Sequence, residues 1–392
     1  MTTVFTPMAR TLPSHRQDLA THTRTHGAVP LAAFAGDGGR RGFIAEVGAA
    51  DIRGRGGAGF PTARKLAAVR GRRPVVVANG CEGDPLSHKD KALLTLAPHL
   101  VLDGIQLAAQ AVATTEAVLC VHHGSTAIAS VVAALAERRT DPVSVRIVEI
   151  PRRYVASEES ALVNYLTTGD ARPTGKEPRP AERGVSGRPT LVDNVDTLAQ
   201  LALLARTGAA TYRASRTDLV TVTGAVRSPG VIEVQAGLRI TDLLVRAGGV
   251  TEPVSAVLAG GYGGSWLPWA AAGEHLGSLP GIASVYVLPS SACGLSFTAT
   301  VLAQLADESA RQCGPCMFGL PALAGDFAAL LRGDADAVTR LDRRLPLVTG
   351  RGACAHPDGA VRLGTSALAV FRHDVTSHVR DRQCLTRTRR AA

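Results

Sequence analysis

Aromatic residues are scarce, two tryptophans, five tyrosines and eight phenylalanines in 392 residues, so the stacking platforms that single-stranded nucleic acid needs are largely missing. No apolar run approaches the roughly 18 residues a membrane span requires. Met1 to Thr25 carries Arg, His and Thr without the apolar stretch of a secretory signal, and the expected address is cytoplasmic. Cysteine is sparse too. Seven at irregular spacing cannot frame a disulfide scaffold in a chain this long, and in a reducing compartment a close pair such as Cys313/Cys316 reads as a metal or redox site. Acidic charge is in deficit: 43 Lys and Arg face 33 Asp and Glu, for a net charge of +10. That excess favours an acidic partner. The basic residues are spread along the chain, with one knot at Arg387 to Arg390, so nucleic acid is not expected among the partners.

Glycine, by contrast, is plentiful, and one stretch organises the rest: Arg53-Gly54-Arg55-Gly56-Gly57-Ala58-Gly59-Phe60-Pro61-Thr62, followed by the helix-compatible run Ala63 to Ala68. Without Cβ atoms such a loop can crowd backbone N–H groups around an anion, and the helix behind it points its positive end the same way. Arg53, Arg55 and Lys65 add charge at that place. The reading is a phosphate cradle, against a plain glycine-rich connection. It is not the dinucleotide fingerprint, and no clean strand precedes it.

The first forty residues read as a flexible N-terminal arm, in which His22 and His26 are surface histidines. Residues 41–212 then alternate buried strands with helices, Pro74 to Gly80, Leu93 to Val112, Ala117 to Val121, Ser125 to Arg138 and Val143 to Ile150, which predicts a parallel α/β layer. The first strand delivers Asn79-Gly80-Cys81-Glu82-Gly83-Asp84-Pro85, a loop where a ligand contact or a mere capped turn would sit. Glu158 and Glu159 open a helix capped by Ser157. Residues 171–190 form a long Pro-rich loop, ending at Asp193-Asn194-Val195-Asp196-Thr197 and the helix behind it. From 213 to 295 the texture is β-branched and alternating around Arg227-Ser228-Pro229-Gly230, a hairpin in a small α+β module; Trp266 and Trp269 read as core rather than a docking face. Residues 296–380 are helical, with a basic tail from 381 to 392. In that last segment Cys313, Cys316 and Cys354 offer three thiolates, suited to an iron–sulfur cluster or to zinc; three unrelated buried thiols are the other reading.

Taken in order, RGRGGAGFPTARK (53–65), ANGCEGDP (78–85) with Lys89-Asp90, SEESAL (157–162), GRPTLVDNVDTLA (187–199) and the C-terminal cysteines make the chain resemble the NADH-binding flavoprotein subunit of respiratory complex I and of related NAD-reducing hydrogenases and formate dehydrogenases. The resemblance covers roughly residues 50 to 375. It implies a Rossmann-like FMN-binding α/β domain, a soluble-ligand-binding β-grasp module and a helical iron–sulfur domain. It further implies FMN held by Gly54, Arg55, Gly56, Gly57, Gly59, Lys65, Asn79, Glu82, Glu158, Glu159, Asp193, Asn194 and Thr197. Glu82 and Glu159 are the carboxylates it places at the reaction. A [4Fe-4S] or [3Fe-4S] cluster would sit on Cys313, Cys316 and Cys354, with NADH as substrate.

The chain departs from that pattern at several points. Cys81 stands where the family has an aspartate, Asp84 where it has a second glutamate, Ser157 for a glycine and Asp193 for an asparagine. Lys176-Glu177-Pro178-Arg179 lacks the adenine-clamping aromatic, and no aromatic follows Lys65. Ala310 occupies the first cysteine position of the cluster motif, which leaves Asp307, His356, Cys384, solvent or a partner chain to supply a fourth ligand. The leading expectation is an FMN and iron–sulfur electron-transfer flavoprotein working between NAD(P)H, or a ferredoxin-like or other redox partner, and its cluster. The rival is a non-catalytic docking protein that keeps the fold but has lost NADH oxidation; zinc-stabilised nucleic-acid binding has only the net charge in its favour.

Overall fold

The computed structural model describes residues 11–271, 273 and 283–384; residues 1–10 of the expected arm and the tail from residue 385 lie outside them. Residues 11–40 are not a loose arm. Helix α1 (Leu19–His26) is capped by Asp18, whose carboxylate accepts from Thr21 N at 2.7 Å, and α2 (Gly36–Ala49) buries Phe43 and Val47. The segment is tied down by polar groups: Gln17 N donates to Leu96 O at 2.9 Å, and His22, buried rather than exposed, sets Nε2 2.8 Å from Asp103. A search for apolar periodicity does not register such an anchor.

After α3 (Thr62–Ala68) the chain alternates: β1 (Val75–Asn79), α4 (Lys89–Leu96), α5 (Pro98–Ala111), β2 (Glu116–His122), α6 (Ala127–Glu137), β3 (Ser144–Ile150), α7 (Glu159–Thr168), α8 (Pro180–Arg183), β4 (Thr190–Asn194) and α9 (Val195–Ser215). The elements through α7 are those expected, whereas the short helix α8 interrupts the expected loop over 171–190 and β4 stands where the sequence predicts no strand. The strands pair in parallel in the order β3-β2-β1-β4. The single helix expected over 93–112 is two, bent by 98° where Pro98 opens α5, since the residue before a proline disfavours helix. Among the described residues no single helix is long and apolar enough to cross a membrane. Val75 to Ala78 are fully buried because β1 is covered on both faces, by α5 and α9 on one and by Leu162, Val185 and Ala156 on the other. Helices α5 and α9 cross closely: a Cβ on Gly104 would overlap the Leu198 backbone.

A second sheet follows. The hairpin β5 (Thr217–Gly224) and β6 (Gly230–Gln235) is antiparallel, and with α10 (Ile240–Arg246), β7 (Val254–Ala259), β8 (Ser265–Pro268) and β9 (Ser284–Pro289) it builds the order β6-β5-β9-β7-β8, β5 and β9 being parallel. One face buries Ile240, Leu243 and Leu244 of α10. The other face, with Trp266, Leu258 and Leu288, shares a core with α11 (Gly294–Asp307), α12 (Leu320–Leu331), α13 (Asp336–Val348), α14 (His356–Val370) and α15 (Arg372–Thr376). Trp266 is core, its Nε1 donating to Thr298 at 2.9 Å; Trp269 is 37% exposed.

Candidate functional site

The strand order places the chain's reversal between β1 and β4: β1, β2 and β3 step one way, and β4 returns to the other side of β1. In open α/β sheets that switch point opens a crevice beyond the carboxyl ends of the strands. Asn79 and Asp193-Asn194 stand at those ends, and the glycine loop lies over them. The loop is closed by an Arg53–Pro61 bridge and by Gly54 N donating to Phe60 O at 2.8 Å. Among the described residues, the amides of Gly56, Gly57, Ala58 and Gly59 are tied into no such bond. Gly57 has φ of +103° and faces open space, with nothing within 4 Å of where a Cβ would stand. A row of free amides with no side chain over them is what an anion requires.

Several predicted contact residues hold the loop rather than face the crevice. Arg55 N donates to Thr197 Oγ1 at 2.9 Å, and the guanidinium turns inward to Asp196 (3.4 Å), Asp218 (3.0 Å) and Thr217 O (2.8 Å). Asn194 is spent likewise: its Oδ1 accepts from Asp196 N, capping α9, and from Lys89 at 3.0 Å, while its Nδ2 donates to Asp90 at 2.6 Å. Lys89, Asp90 and Asp196 are buried and make a charge network under the loop. Glu82, one of the two expected reaction carboxylates, accepts from Ser87 Oγ at 2.7 Å and Lys91 N at 3.0 Å, which fixes the start of α4. Asn79 bridges Ser157 O and Cys81 N. Cys81 itself is packed among apolar side chains; burial pushes its thiol well above the ordinary range, so the position contributes no charge.

What does gather at the crevice is Lys65, Glu159 and Asp193. Lys65 Nζ donates to Glu159 at 2.9 Å and to Val192 O at 2.7 Å, and lies 3.9 Å from Asp193 Oδ1. Burial works against the ammonium, but Asp193 and Glu159 more than offset it and raise its pKa. Asp193 Oδ2 is buried with no hydrogen-bond partner, as is Thr62 Oγ1; burial lifts the Asp193 carboxyl to about 6 against the pull of Lys65. The helix cap is Glu158, not Ser157: its Oε2 accepts from Ser160 N (2.9 Å) and Ala161 N (3.1 Å). Ser157 ends the 3-10 turn Tyr154–Ser157, one residue before the cap position, and bonds Tyr154 O instead.

The three cysteines converge. Cys316 and Cys354 are buried and Cys313 half-buried. Burial raises the Cys313 thiol, yet the amides of Ala353 and Cys316 outweigh it and lower its pKa; burial and the neighbouring Cys313 push Cys316 up to about 12. Cys354 lies in electrostatic reach of Cys313, Glu158 and Lys176, which sets this one thiol toward the start of α7. Two buried atoms beside them, Ser309 Oγ and His356 Nδ1, have no hydrogen-bond partner. These three sulfurs do not form a single-ion coordination sphere. Among the described residues only Cys293, His378 and Cys384 bring three ligand atoms within 4.8 Å of one another. Zinc needs that tightness, whereas an iron–sulfur cube spreads its thiolates. Of the expected fourth ligands, Cys384 belongs to that other group, and the Asp307 side chain is 83% exposed beside Arg311.

Three layers meet at the turn Tyr154–Ser157. Tyr154 N donates to Glu308 at 3.1 Å, the Tyr154 ring lies 5.2 Å from that of His356, and a Cβ on Gly83 would strike Tyr154 O. Asp84 accepts from Tyr262 N at 2.8 Å, joining the first strand's loop to the second sheet. Nothing local in the sequence marks Tyr154, Glu308 or the Lys89–Asp196 pairing as neighbours; only the fold does.

Three family models match the chain: the Nuo51 FMN-binding domain over residues 47–203, the SLBB domain over 219–264 and the NADH-ubiquinone oxidoreductase-F iron-sulfur binding region over 296–378. An NADH-quinone oxidoreductase subunit of Rhizobium meliloti (strain 1021) is 28% identical over 373 residues, 85% of this chain and 88% of its own length. The NADH-quinone oxidoreductase subunit of the same type in Escherichia coli (strain K12) is 28% identical over 381 residues, 86% and 84% of the two chains. Among solved structures, that of the NAD+-reducing [NiFe]-hydrogenase in the air-oxidized state is similar with a TM-score of 0.85 at 27% identity, over 93% of this chain and 68% of that one.

Proposed function

The chain belongs to the family of NADH-binding FMN and iron–sulfur flavoprotein subunits, and from that premise we propose that the crevice over β1 and β4 holds FMN and hands electrons to a cluster on Cys313, Cys316 and Cys354. The observation that carries this is the gathering of Cys313 and Cys316 with Cys354, itself within electrostatic reach of Glu158 at the start of α7, on a fold whose glycine loop presents free amides. The residues fit both groups. The loop amides and Lys65 suit a phosphate, the orphaned Asp193 and Thr62 oxygens suit polar atoms of a bound molecule, and the lowered Cys313 thiol suits a metal-bound sulfur. When bound, FMN supplies the exchange between a two-electron hydride donor and one-electron carriers.

The protein's own part is positional. Arg55 and the Lys89–Asp196 network fix the loop from below. Lys65, held by Glu159 and Val192 O, places one cation at the crevice. Glu159, 40% exposed and first in α7, is the carboxylate left to face the substrate, since both oxygens of Glu82 are engaged elsewhere. The loss of the adenine-clamping aromatic at Arg179 weakens nucleotide affinity without touching the flavin end of the crevice.

The test is anaerobic reconstitution of the chain with FMN, iron and sulfide, followed by titration with NADH. A flavin band that NADH bleaches is the expected result. Flavin that only dithionite or reduced ferredoxin bleaches would replace NADH by another donor, and a chain that takes up no flavin would leave the docking-protein reading standing. The partner is an acidic redox protein, for which the net charge of +10 supplies steering. Association with an acidic ferredoxin should weaken steeply as salt rises, and salt-independent binding would count against it.

A further inference from the structure

A second cysteine group lies apart from the crevice. Cys293 is the N-cap of α11, its Sγ accepting from Ser296 N at 3.4 Å. His378 is buried in the single π-helical turn Ser377–Asp381 that follows α15. Arg382, in the left-handed region at φ 50° and ψ 33°, then reverses the chain. Ser377 Oγ donates to Gln383 O at 2.9 Å and Gln383 N returns to Ser377 O at 3.4 Å, closing the reversal and delivering Cys384. The three ligand atoms lie within 4.8 Å of one another, with Cys293 Sγ 3.6 Å from His378 Nε2.

Tetrahedral zinc with Zn–S of about 2.3 Å and Zn–N of about 2.0–2.1 Å sets neighbouring S and N ligands about 3.6 Å apart. The observed separation needs no rearrangement. We propose that Cys293, His378 and Cys384 form a binding site for a thiophilic divalent ion of the zinc class, with water in the fourth position, that fastens the end of the helical domain to the start of its first helix. Two thiolates and one imidazole are a donor set that suits zinc and disfavours magnesium or calcium. The backbone is already committed to this arrangement, because Arg382 holds a conformation non-glycine residues seldom adopt, and an isolated thiol needs no such turn. The site shares no ligand with the expected cluster, whose thiols are Cys313, Cys316 and Cys354.

Zinc and cobalt titrations of the full chain, purified under reductant and stripped with chelator, test this. The Cys313→Ser/Cys316→Ser/Cys354→Ser variant should still bind one zinc per chain. Its cobalt form should show thiolate-to-metal absorption. Cys384→Ser and His378→Gln introduced into that background should weaken binding at least tenfold, and added zinc should raise the melting temperature of the parent but not of these variants, whose folding circular dichroism checks. The proposal is overturned if the triple variant binds no zinc, if Cys384→Ser leaves the affinity unchanged, or if peptide mapping of the reduced, zinc-treated protein recovers Cys293 and Cys384 as a disulfide.

Discussion

At the scale of single residues the crevice turns on which charges are satisfied. Asp193 shows this best: it is buried with one oxygen unpaired, and its carboxyl is lifted to about 6 where the unfolded chain would titrate near 3.8. The folded state therefore resists ionisation, so Asp193 costs stability increasingly as pH rises from about 4 to about 6, up to about 3 kcal/mol above that. Asp193→Asn, which restores the family's residue, should raise the stability of the flavin-free protein at pH 7.5, and the gain should vanish by pH 4. Urea unfolding at the two pH values decides it; a destabilised variant at pH 7.5 would mean that the attraction to Lys65, 3.9 Å away, outweighs burial. Lys65 and Glu159 were legible in the sequence because their charges sit beside a glycine loop or open a helix. The inward turn of Arg55 was not, because Asp196 and Asp218 lie far along the chain and only the return of β4 beside β1 brings the first of them under the loop.

At the scale of elements, the parallel layer was legible because buried strands and helices alternate with little else between them. The bend at Pro98 and the docking of α1 were not. Helix α1 is held by His22, which pairs with Asp103 and has the tilted rings of His26 and His99 beside it, with Arg206, Arg138 and Glu137 around them, polar residues that hydrophobic patterning assigns to solvent. Burial, with help from His22 and from Arg206 or Arg138, lowers His26 and His99 to about 4 from about 6.5. Unfolded histidines bind protons first, so stability is lost as pH falls from 6.5 toward 4, and Asp103, held below the usual carboxylate range, compounds the loss only at lower pH. Unfolding midpoints over that window should drop in the native chain and flatten in His26→Asn/His99→Gln; parallel curves would remove the histidines from the account. The crossing of α5 and α9 makes a sharper demand. Because a Cβ at Gly104 would overlap Leu198 backbone, Gly104→Ala must push two core helices apart, and a loss of about 3 kcal/mol or more is expected in denaturant unfolding. A loss below about 1 kcal/mol would mean that the helices separate freely.

At the scale of the molecule, flavin crevice, second sheet and cysteine bundle are not independent bodies on a string. The second sheet and the helices share one core through Trp266, and all three parts touch at the Tyr154–Ser157 turn. That turn leads directly into Glu158 and Glu159, while Glu308, which holds Tyr154 N, begins the run to Ser309 and Cys313. One carboxylate thus ties the turn before Glu158 to the start of the run that carries Cys313. Removing it leaves a part-buried amide unpaired, at a cost of about 1–3 kcal/mol, and frees the turn to drift. In Glu308→Ala, flavin content and the first, flavin-bleaching phase with the reductant should stay near the native level, whereas reduction of the cluster should slow several-fold. Glu308→Gln keeps an oxygen where Tyr154 N donates and should restore most of the rate. Stopped-flow absorbance separates the phases, with electron paramagnetic resonance of frozen samples reporting the cluster. If Glu308→Ala leaves both phases unchanged, the turn is not what spaces the two sites, and the shared core through Trp266 must be fixing their separation instead.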